Sequence, residues 1–286
     1  MLTHRPVWKA FETLAVRYSQ VRTHSWPKQG PSPLTVDQVT YIFLAKILTT
    51  FPIVFVDYGL ENPDAKGFHT RRPWDGNFEP GHQQISINGK RTDHMSIAFG
   101  KASQTNNHHP FQAFLFMTAN TLLHELGHVF VTYLTKGQSA SPPQVNAVTE
   151  GVQGGEGEAG LALESLIFGG TIAYFQEPVS GTPDDQCGTA FLKKPSGAWH
   201  RILPKTIHDV ASMQFKFPYD HDVRSTEPGQ LRALGHGLAP PSYTDPLERS
   251  EVRYLLERHL PLLWSALHCA PCDSTLRAPV AGGKES

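Results

Sequence analysis

One long and almost continuously apolar segment, residues 111–136, constrains the folding of this chain more than any other feature. Pro110 is suited to the first turn of a helix, and Gly137 is suited to the position just past its end. Because the segment is apolar on nearly every side, it predicts a helix that is buried all round rather than one that lies on a surface. We therefore expect the other elements to pack around this central helix.

The same helix contains an H-E-x-x-H motif, His124-Glu125-Leu126-Gly127-His128. Positions i and i+4 of a helix lie one above the other, so both imidazoles can reach a single metal ion. Glu125 lies one residue round from His124, where its carboxylate can hold water without ligating the metal. Burying two histidines and a glutamate is costly unless they are paired or bind a metal. The alternative is two core histidines that are satisfied by local hydrogen bonds, with a buried glutamate as their partner.

A catalytic zinc ion requires a third protein ligand and an open coordination position. No histidine stands where the extended pattern H-E-x-x-H-x-x-G-x-x-H requires one. We therefore expect the third ligand to be an acidic residue downstream, as in sites built from two histidines and a glutamate. The candidates are Glu150, Glu156, Glu158 and Glu164.

The local sequence separates these candidates. Glu150 and Glu156 fall in a glycine-rich stretch, where a ligand would be poorly held. Glu158 begins a predicted helix, residues 158–168, and flanks its apolar face, whereas Glu164 points away from the centre of that face by roughly 130°. We expect Glu158 to be the third ligand, with Glu164 as the alternate ligand, a supporting residue or a surface residue. A plain acid at a helix N-terminus is the other interpretation of Glu158.

The H-E-L-G-H motif and the run Gly157-Glu-Ala-Gly-Leu-Ala162 together resemble the gluzincin group of zinc metallopeptidases. In that group, one helix supplies two histidine ligands and the general base, and a glutamate that opens a second helix supplies the third ligand. The resemblance implies one Zn²⁺ per chain, held by His124, His128 and Glu158, with Glu125 as the catalytic base.

The resemblance covers residues 124–170, and the chain departs from the pattern in three ways. The gap between His128 and Glu158 is longer than usual. Gly157 replaces the asparagine that normally precedes the ligand glutamate. No motif like G-A-M-E-N lies upstream, which puts the specificity of an aminopeptidase in doubt but leaves the metal site intact.

The resemblance also implies a reaction. Zinc would lower the pKa of its bound water from 15.7 toward about 7. Glu125 would accept the proton and return it to the leaving amine. In such folds an edge strand upstream of the metal helix pairs with an extended substrate, and residues 95–99 are the candidate strand. The oxyanion requires a further donor, for which the sequence offers Tyr174, His200, His208, Tyr219 and His221.

The rest of the chain alternates helical and strand patterns. Residues 7–22 place apolar side chains at helical spacing. Thr35 and Gln38 form a capping-box start for a helix that runs to about residue 50. Residues 178–243 are rich in Pro and Gly and predict loops, and Asp245 starts a further helix. Short β-branched and aromatic runs predict strands at residues 53–56, 84–87 and 95–99.

These elements predict the α+β class, and the resemblance implies a zincin-like architecture within it. We expect a small mixed sheet, a central H-E-x-x-H helix and a mainly helical C-terminal subdomain. Residues 1–286 are expected to form a single catalytic domain, with subdomains at about 1–137 and 138–272 and a disordered tail at 273–286.

Composition excludes some classes of protein. Lys+Arg total 25 and Asp+Glu total 26, which gives a net charge of -1 and argues against general nucleic-acid binding. No segment approaches the roughly 18 consecutive apolar residues of a membrane helix, and the N-terminus has no signal-peptide pattern. The 3 cysteines suit a reducing compartment, so a cytoplasmic location is expected. The oligomeric state and the role of the pair Cys269 and Cys272 stay open.

Three functions are compatible with these residues. The first is a zinc metallopeptidase that hydrolyses a peptide or protein substrate through a metal-bound water, with Glu125 as general base. The second is a zinc-dependent hydrolase or tailoring enzyme that acts on a small molecule or a single specialised peptide, in a pocket built by residues 178–243. The third is a non-catalytic, metal-stabilised interaction domain. Glu125 argues against the third, because a purely structural site needs no base.

Overall fold

The computed structural model of this chain describes residues 1–20, 26–29, 32–60, 66–139, 141, 145, 157–176, 187–224 and 232–234, and it confirms a mixed α+β architecture. The helices among these residues are α1 (Arg5–Ser19), α2 (Val36–Thr49), α3 (Gly89–Thr105), α4 (His109–Thr135), α5 (Ala159–Phe168) and α6 (Pro204–Ala211), with a 3₁₀ turn at Pro80–His82. The strands are β1 (Lys28–Gln29), β2 (Ser32–Pro33), β3 (Ile53–Asp57), β4 (Gly67–Thr70), β5 (Gln84–Asn88), β6 (Thr171–Gln176), β7 (Thr189–Lys193), β8 (Trp199–Arg201) and β9 (Arg232–Leu234).

The helix predicted at residues 111–136 is α4, and the structure confirms it. Pro110 lies in its first turn. Lys136 ends it in the left-handed conformation, and Gly137 follows with a φ of 72°. Helices α1, α3, α5 and α6 and strand β4 all pack against α4. It is therefore the central helix that its apolar sequence predicts.

A small mixed sheet packs against α4 through β4, and its strand order is β3-β5-β4. β3 runs parallel to β5, and β4 runs antiparallel to it. The prediction of a small mixed sheet is confirmed, as are the strands at residues 53–56 and 84–87. β5 is buried throughout, but Ile53 of β3 is 44% exposed because β3 lies at one edge of the sheet. β4 forms the other edge.

The strand predicted at residues 95–99 is wrong, because these residues belong to α3. Asn88 caps this helix: its side-chain oxygen accepts a hydrogen bond from the backbone N–H of Arg91 at 3.2 Å. Met95 and Ala98 are buried on one face, at the spacing of a helix. Asn88 and the glycine after it therefore start a helix.

The described part of the C-terminal half is not mainly helical as predicted, and the helix expected from Asp245 lies outside the described residues. An antiparallel sheet with the order β8-β7-β6-β9 accompanies α5 and α6. The Pro and Gly content of residues 178–243 predicts loops, but β7 and β8 lie there. Ala190, Phe191 and Leu192 of β7 are all buried, so no alternation of apolar and polar residues marks the strand.

The N-terminal helices are confirmed over the described residues. α1 corresponds to the helix predicted at residues 7–22. α2 begins with the predicted capping box: the Thr35 N–H donates to Gln38 Oε1 at 2.9 Å, and the Gln38 N–H donates to Thr35 Oγ1 at 3.3 Å. One hydrophobic cluster joins these helices to α4, and Phe43 of α2 lies 4.7 Å from Phe130 of α4 between ring centres.

Some predicted features lie outside the described residues. They are the ligand candidates Glu150 and Glu156, the helix expected from Asp245, the pair Cys269 and Cys272, and the tail at 273–286. The division into subdomains near residue 137 stays a prediction. Within the part of the chain that the structure describes, no helix combines the length and the apolar character needed to span a membrane.

Candidate metal centre

Two helices bring three potential metal ligands together. His124 and His128 lie on successive turns of α4, and Glu158 is the residue that caps the N-terminus of α5. Glu158 Oε1 lies 2.6 Å from His128 Nε2 and 3.7 Å from His124 Nε2. One ligating atom of each residue lies within 4.8 Å of the other two. The structure therefore places Glu158 beside both histidines, at the position expected of the third ligand.

The chemistry of this donor set fits a zinc ion. Two imidazole nitrogens and one carboxylate oxygen are the protein ligands of one type of catalytic zinc site, which keeps a further position open. The side chains of His124, His128 and Glu158 are 13%, 19% and 24% exposed. The group is thus largely shielded by protein, and yet small molecules can reach it.

Small residues allow α5 to approach α4 closely enough for Glu158 to reach the histidines. A Cβ on Gly127 would lie 2.8 Å from the carbonyl oxygen of Ala159, and a Cβ on Gly160 would overlap the ring of His124. The Glu158 carboxylate also accepts a hydrogen bond from the Gly160 N–H at 3.1 Å. These glycines and the cap therefore set the position of the carboxylate.

Glu164 contacts the His124 ring on the side away from Glu158. Its Oε1 lies 2.8 Å from His124 Nδ1, and its Oε2 accepts a hydrogen bond from the Ile172 N–H at 2.8 Å. With the proton held on Nδ1, the Nε2 atom of His124 is left to face Glu158. Glu164 is only 4% exposed, so a surface position is excluded. Its oxygens are engaged away from the three grouped ligand atoms, which argues against its use as the alternate ligand.

The charges in the group shift the pKa values of its members. Burial lowers the pKa of His124, but the hydrogen bond with Glu164 and the charges of Glu158, Glu164 and Glu125 outweigh burial and raise that pKa to about 9. Burial raises the pKa of Glu158, but the charge of His128 and its hydrogen bond outweigh burial and hold that pKa well below its usual range. The carboxylates therefore stabilise positive charge at this point.

Glu125 lies next to the group and is buried, with 5% exposure. Burial raises the pKa of its carboxyl group, against the opposing charges of His124 and His128. No hydrogen bond joins its carboxylate to another described residue. Gly67 of β4 lies close by, since a Cβ there would be 3.4 Å from Glu125 Oε1. A buried carboxyl with a raised pKa has the properties of a catalytic base.

The ligand candidates and Glu125 line one cleft of about 730 Å³. Its other walls include Lys66, the edge strand β4, Leu161 of α5 and Tyr174 of β6. Among the strands that the structure describes, β4 pairs on one side only, with β5. The edge strand beside the site is therefore β4 and not the predicted residues 95–99.

Of the five predicted oxyanion donors, Tyr174 is the one that lines this cleft. Its hydroxyl meets no described partner in hydrogen-bonding geometry, although Asn120 lies near it, and burial raises its pKa well above the usual value. The phenol therefore stays protonated, and its oxygen is buried from solvent. The other four candidates have partners of their own: Tyr219 donates to Asn120, His208 bonds to Gln112, and Nδ1 of His200 and of His221 each donate to the backbone carbonyl of Asp222.

Sequence reasoning missed Lys66, β4 and Gly127, whereas Gly160 belongs to the glycine-rich stretch that predicts a close approach of backbone to α4. β4 is four residues long and contains a glycine and a histidine, so it carries no strand pattern. Gly127 does carry a signal, because a glycine inside a buried helix often marks the close approach of another segment.

Comparisons of the chain with known protein families, with curated proteins and with solved structures gave no match. The resemblance to the gluzincins stays a prediction. The case for a function therefore rests on the geometry and the chemistry of the site.

Proposed function

We propose that this chain is a zinc metallopeptidase with a zincin-like α+β fold. The observation that carries the proposal is the convergence of His124, His128 and Glu158 in one cleft, with Glu125 buried beside them and lacking a hydrogen bond from any described residue. A structural zinc site uses four protein ligands and has no need of a base next to them. The arrangement therefore favours catalysis over a purely structural role.

In this proposal His124, His128 and Glu158 would hold one Zn²⁺ per chain. When bound, zinc polarises a carbonyl group and makes water acidic near neutral pH. Glu164 keeps the His124 proton on Nδ1 and so presents Nε2 toward the cleft. Glu125 accepts a proton from the attacking water and delivers it to the nitrogen of the leaving amine.

Two further parts of the cleft act on the substrate. The outer edge of β4 offers backbone donors and acceptors to an extended peptide, as in other cases of strand addition. Gly67 brings this strand close to Glu125. Tyr174, the predicted donor that lines the cleft, is the candidate for stabilising the oxygen that gains negative charge during the reaction.

The variant Glu125→Gln tests the proposal. We expect the wild-type protein to cleave members of a peptide library in a zinc-dependent manner. The variant should cleave them at least about 10²-fold more slowly, because the general base is lost. Its zinc content should not change, because Glu125 is not a ligand.

Glu79→Gln is the matched control, since this exposed glutamate pairs with Lys46 away from the cleft. It should keep both the zinc and the activity. Undiminished cleavage by Glu125→Gln would rule out the assigned base. A zinc-loaded wild-type protein that cleaves no peptide would overturn the peptidase proposal.

The size of the cleft favours a second candidate, a zinc-dependent hydrolase or tailoring enzyme that acts on a small molecule or one specialised peptide. A volume of about 730 Å³ lies within the usual range of small-molecule sites, which is about 300–1,000 Å³. Zinc-loaded protein that cleaves no member of a broad peptide library but hydrolyses small amides or esters would support this candidate.

A further inference from the structure

Lys66 lies in the cleft immediately before β4, and the proposed reaction does not use it. Its Nζ atom lies 4.8 Å from the centre of the Tyr174 ring. Among the described residues, Nζ has no carboxylate oxygen within 4.0 Å and no hydrogen-bond acceptor. Lysine is usually exposed unless it is paired, so a partly buried ammonium group without a close anion is unusual.

Two acidic side chains of the cleft, Glu164 and Glu125, act on Lys66 by charge without forming a close ion pair with it. Glu164 uses one oxygen for His124 and the other for the Ile172 N–H. Glu125 is the proposed base. Burial lowers the pKa of Lys66 to about 8, and the charges of Glu164 and Glu125 oppose that shift from a distance. The side chain is mainly protonated at neutral pH, and the protein supplies no close counter-charge.

We propose that Lys66 binds a carboxylate group of the substrate, so that the cleft selects peptides with a negative charge close to the bond that is cleaved. The inference rests on the proposed function, because it assumes that a peptide occupies the cleft. The Tyr174 ring holds Nζ by a cation–π contact and leaves its hydrogens able to donate to a ligand.

The surroundings of Lys66 fit a carboxylate better than a phosphate. Phosphate sites usually combine several charged donors or the free N–H groups of a helix N-terminus. The first turn of α5, which is the helix start in this cleft, already donates its Gly160 N–H to Glu158. Arg71 lines the cleft just after β4, so the edge strand proposed to pair with the substrate has a basic residue at both ends.

A peptide carboxylate has two sources, the C-terminus or an acidic side chain, and three probes distinguish them. They are acetyl-Ala-Ala with a free C-terminus, the same peptide with an amidated C-terminus, and amidated acetyl-Ala-Glu. Binding is measured by calorimetry on zinc-loaded protein that carries Glu125→Gln, so that the peptides are not consumed. Binding is compared between protein with Lys66 intact and protein in which Lys66 is substituted.

We expect at least one charged peptide to bind about tenfold more tightly than the neutral one, and the charged peptide that does so identifies the source. Lys66→Met should abolish this preference without weakening the neutral peptide. Lys66→Arg should retain part of it. Lys90→Met, at an exposed position of α3 outside the cleft, removes the same charge and should leave the preference unchanged.

Two results would overturn the inference. One is equal binding of charged and neutral peptides by protein with Lys66 intact. The other is an undiminished preference in Lys66→Met, which would assign the carboxylate to the metal ion. Lys66→Gln replaces Lys66→Met if the latter does not fold, and every variant must keep one zinc per chain. A wild-type protein without peptidase activity would contradict the proposed function alone, since the preference is measured as binding.

Discussion

Glu164 connects two parts of the molecule through its two carboxylate oxygens, one at the ring of His124 and the other at the backbone of Ile172 in β6. A carboxylate behind a metal-binding histidine fixes the tautomer and the orientation of the ring, and it raises the basicity of the ligating nitrogen. In the proposed site, Glu164 would therefore influence the metal ion through His124 without contacting it.

We expect Glu164→Gln to weaken zinc binding by about 10- to 100-fold while saturating zinc still restores one ion per chain. A neutral amide can accept one of the two hydrogen bonds, but it lacks the charge that stabilises His124. Competition with a chelator of known affinity measures the change, and Glu79→Gln is the control. An unaltered affinity would mean that the carboxylate does not act through His124.

His69 makes stability depend on pH. Its Nδ1 donates to the carbonyl of Gln84 at 2.9 Å, and its Nε2 accepts from the hydroxyl of Thr132 at 3.0 Å. Burial lowers its pKa from 6.5 to about 3, so in this interval the unfolded chain binds a proton that the folded chain does not. The free energy of unfolding therefore falls as the pH drops from about 6.5 toward 3, by up to about 1.4 kcal/mol per pH unit.

His69→Gln keeps a donor and an acceptor but does not titrate, so we expect a flatter decline of stability with falling pH. Above pH 6.5 the residue contributes no pH dependence. Urea unfolding of metal-free protein between about pH 6.5 and 4.5 measures the slope. His82→Gln, at an exposed position, is the control. Equal slopes in wild type and His69→Gln would assign the effect to other groups.

At the scale of elements, the close approach of α4 and α5 depends on two glycines. Gly160→Ala places a methyl group against the ring of His124, and we expect it to weaken zinc binding by about tenfold or more.

Gly127→Ala crowds the Ala159 carbonyl and should lower the free energy of unfolding by about 1–3 kcal/mol.

Gly100→Ala is the matched control for both glycine variants. A Cβ at this position of α3 meets no atom within 4 Å. It should raise the free energy of unfolding by about 0.5–1 kcal/mol, because alanine favours a helix, and it should leave zinc binding unchanged. Normal zinc affinity in Gly160→Ala would show that the ring of His124 can move without losing its function.

Elements with strong local signals could be predicted from the sequence. The apolar run between Pro110 and Gly137 defines α4, and the Thr35 capping box defines the start of α2. Residues 95–99 have an apolar, partly β-branched sequence, but burial of Met95 and Ala98 on one face places them in a helix. Strand β4 has no local signal, because tertiary packing against α4 selects its conformation.

In the candidate site too, residues with a local sequence signal could be predicted and residues without one could not. His124 and His128 are separated by one helical turn, so their proximity follows from the sequence alone. The position of Glu158 beside the histidines follows the prediction because it opens a helix with a clear apolar face. Lys66 and Tyr174 reach the cleft through the folding of distant segments, and no local pattern connects them to the motif.

At the scale of the whole molecule, the cleft lies where three separate parts of the chain meet. Edge strand β4 comes from the N-terminal sheet, α4 supplies the two histidines, and α5 and β6 supply Glu158 and Tyr174. One hydrophobic cluster joins these parts, from Val7 in α1 to Tyr219 near the end of the described chain. The site is therefore a property of the complete core rather than of the motif alone.

The most direct test of this account is the metal content of the purified chain. Elemental mass spectrometry would be applied to protein prepared without chelator and then offered zinc, with His124→Ala alongside. A zinc site held by His124, His128 and Glu158 would contain about one zinc per chain in the wild type and lose it in the variant. A wild-type protein that binds no zinc would contradict the account, because His124 and His128 would then be core histidines paired with Glu164 and Glu158.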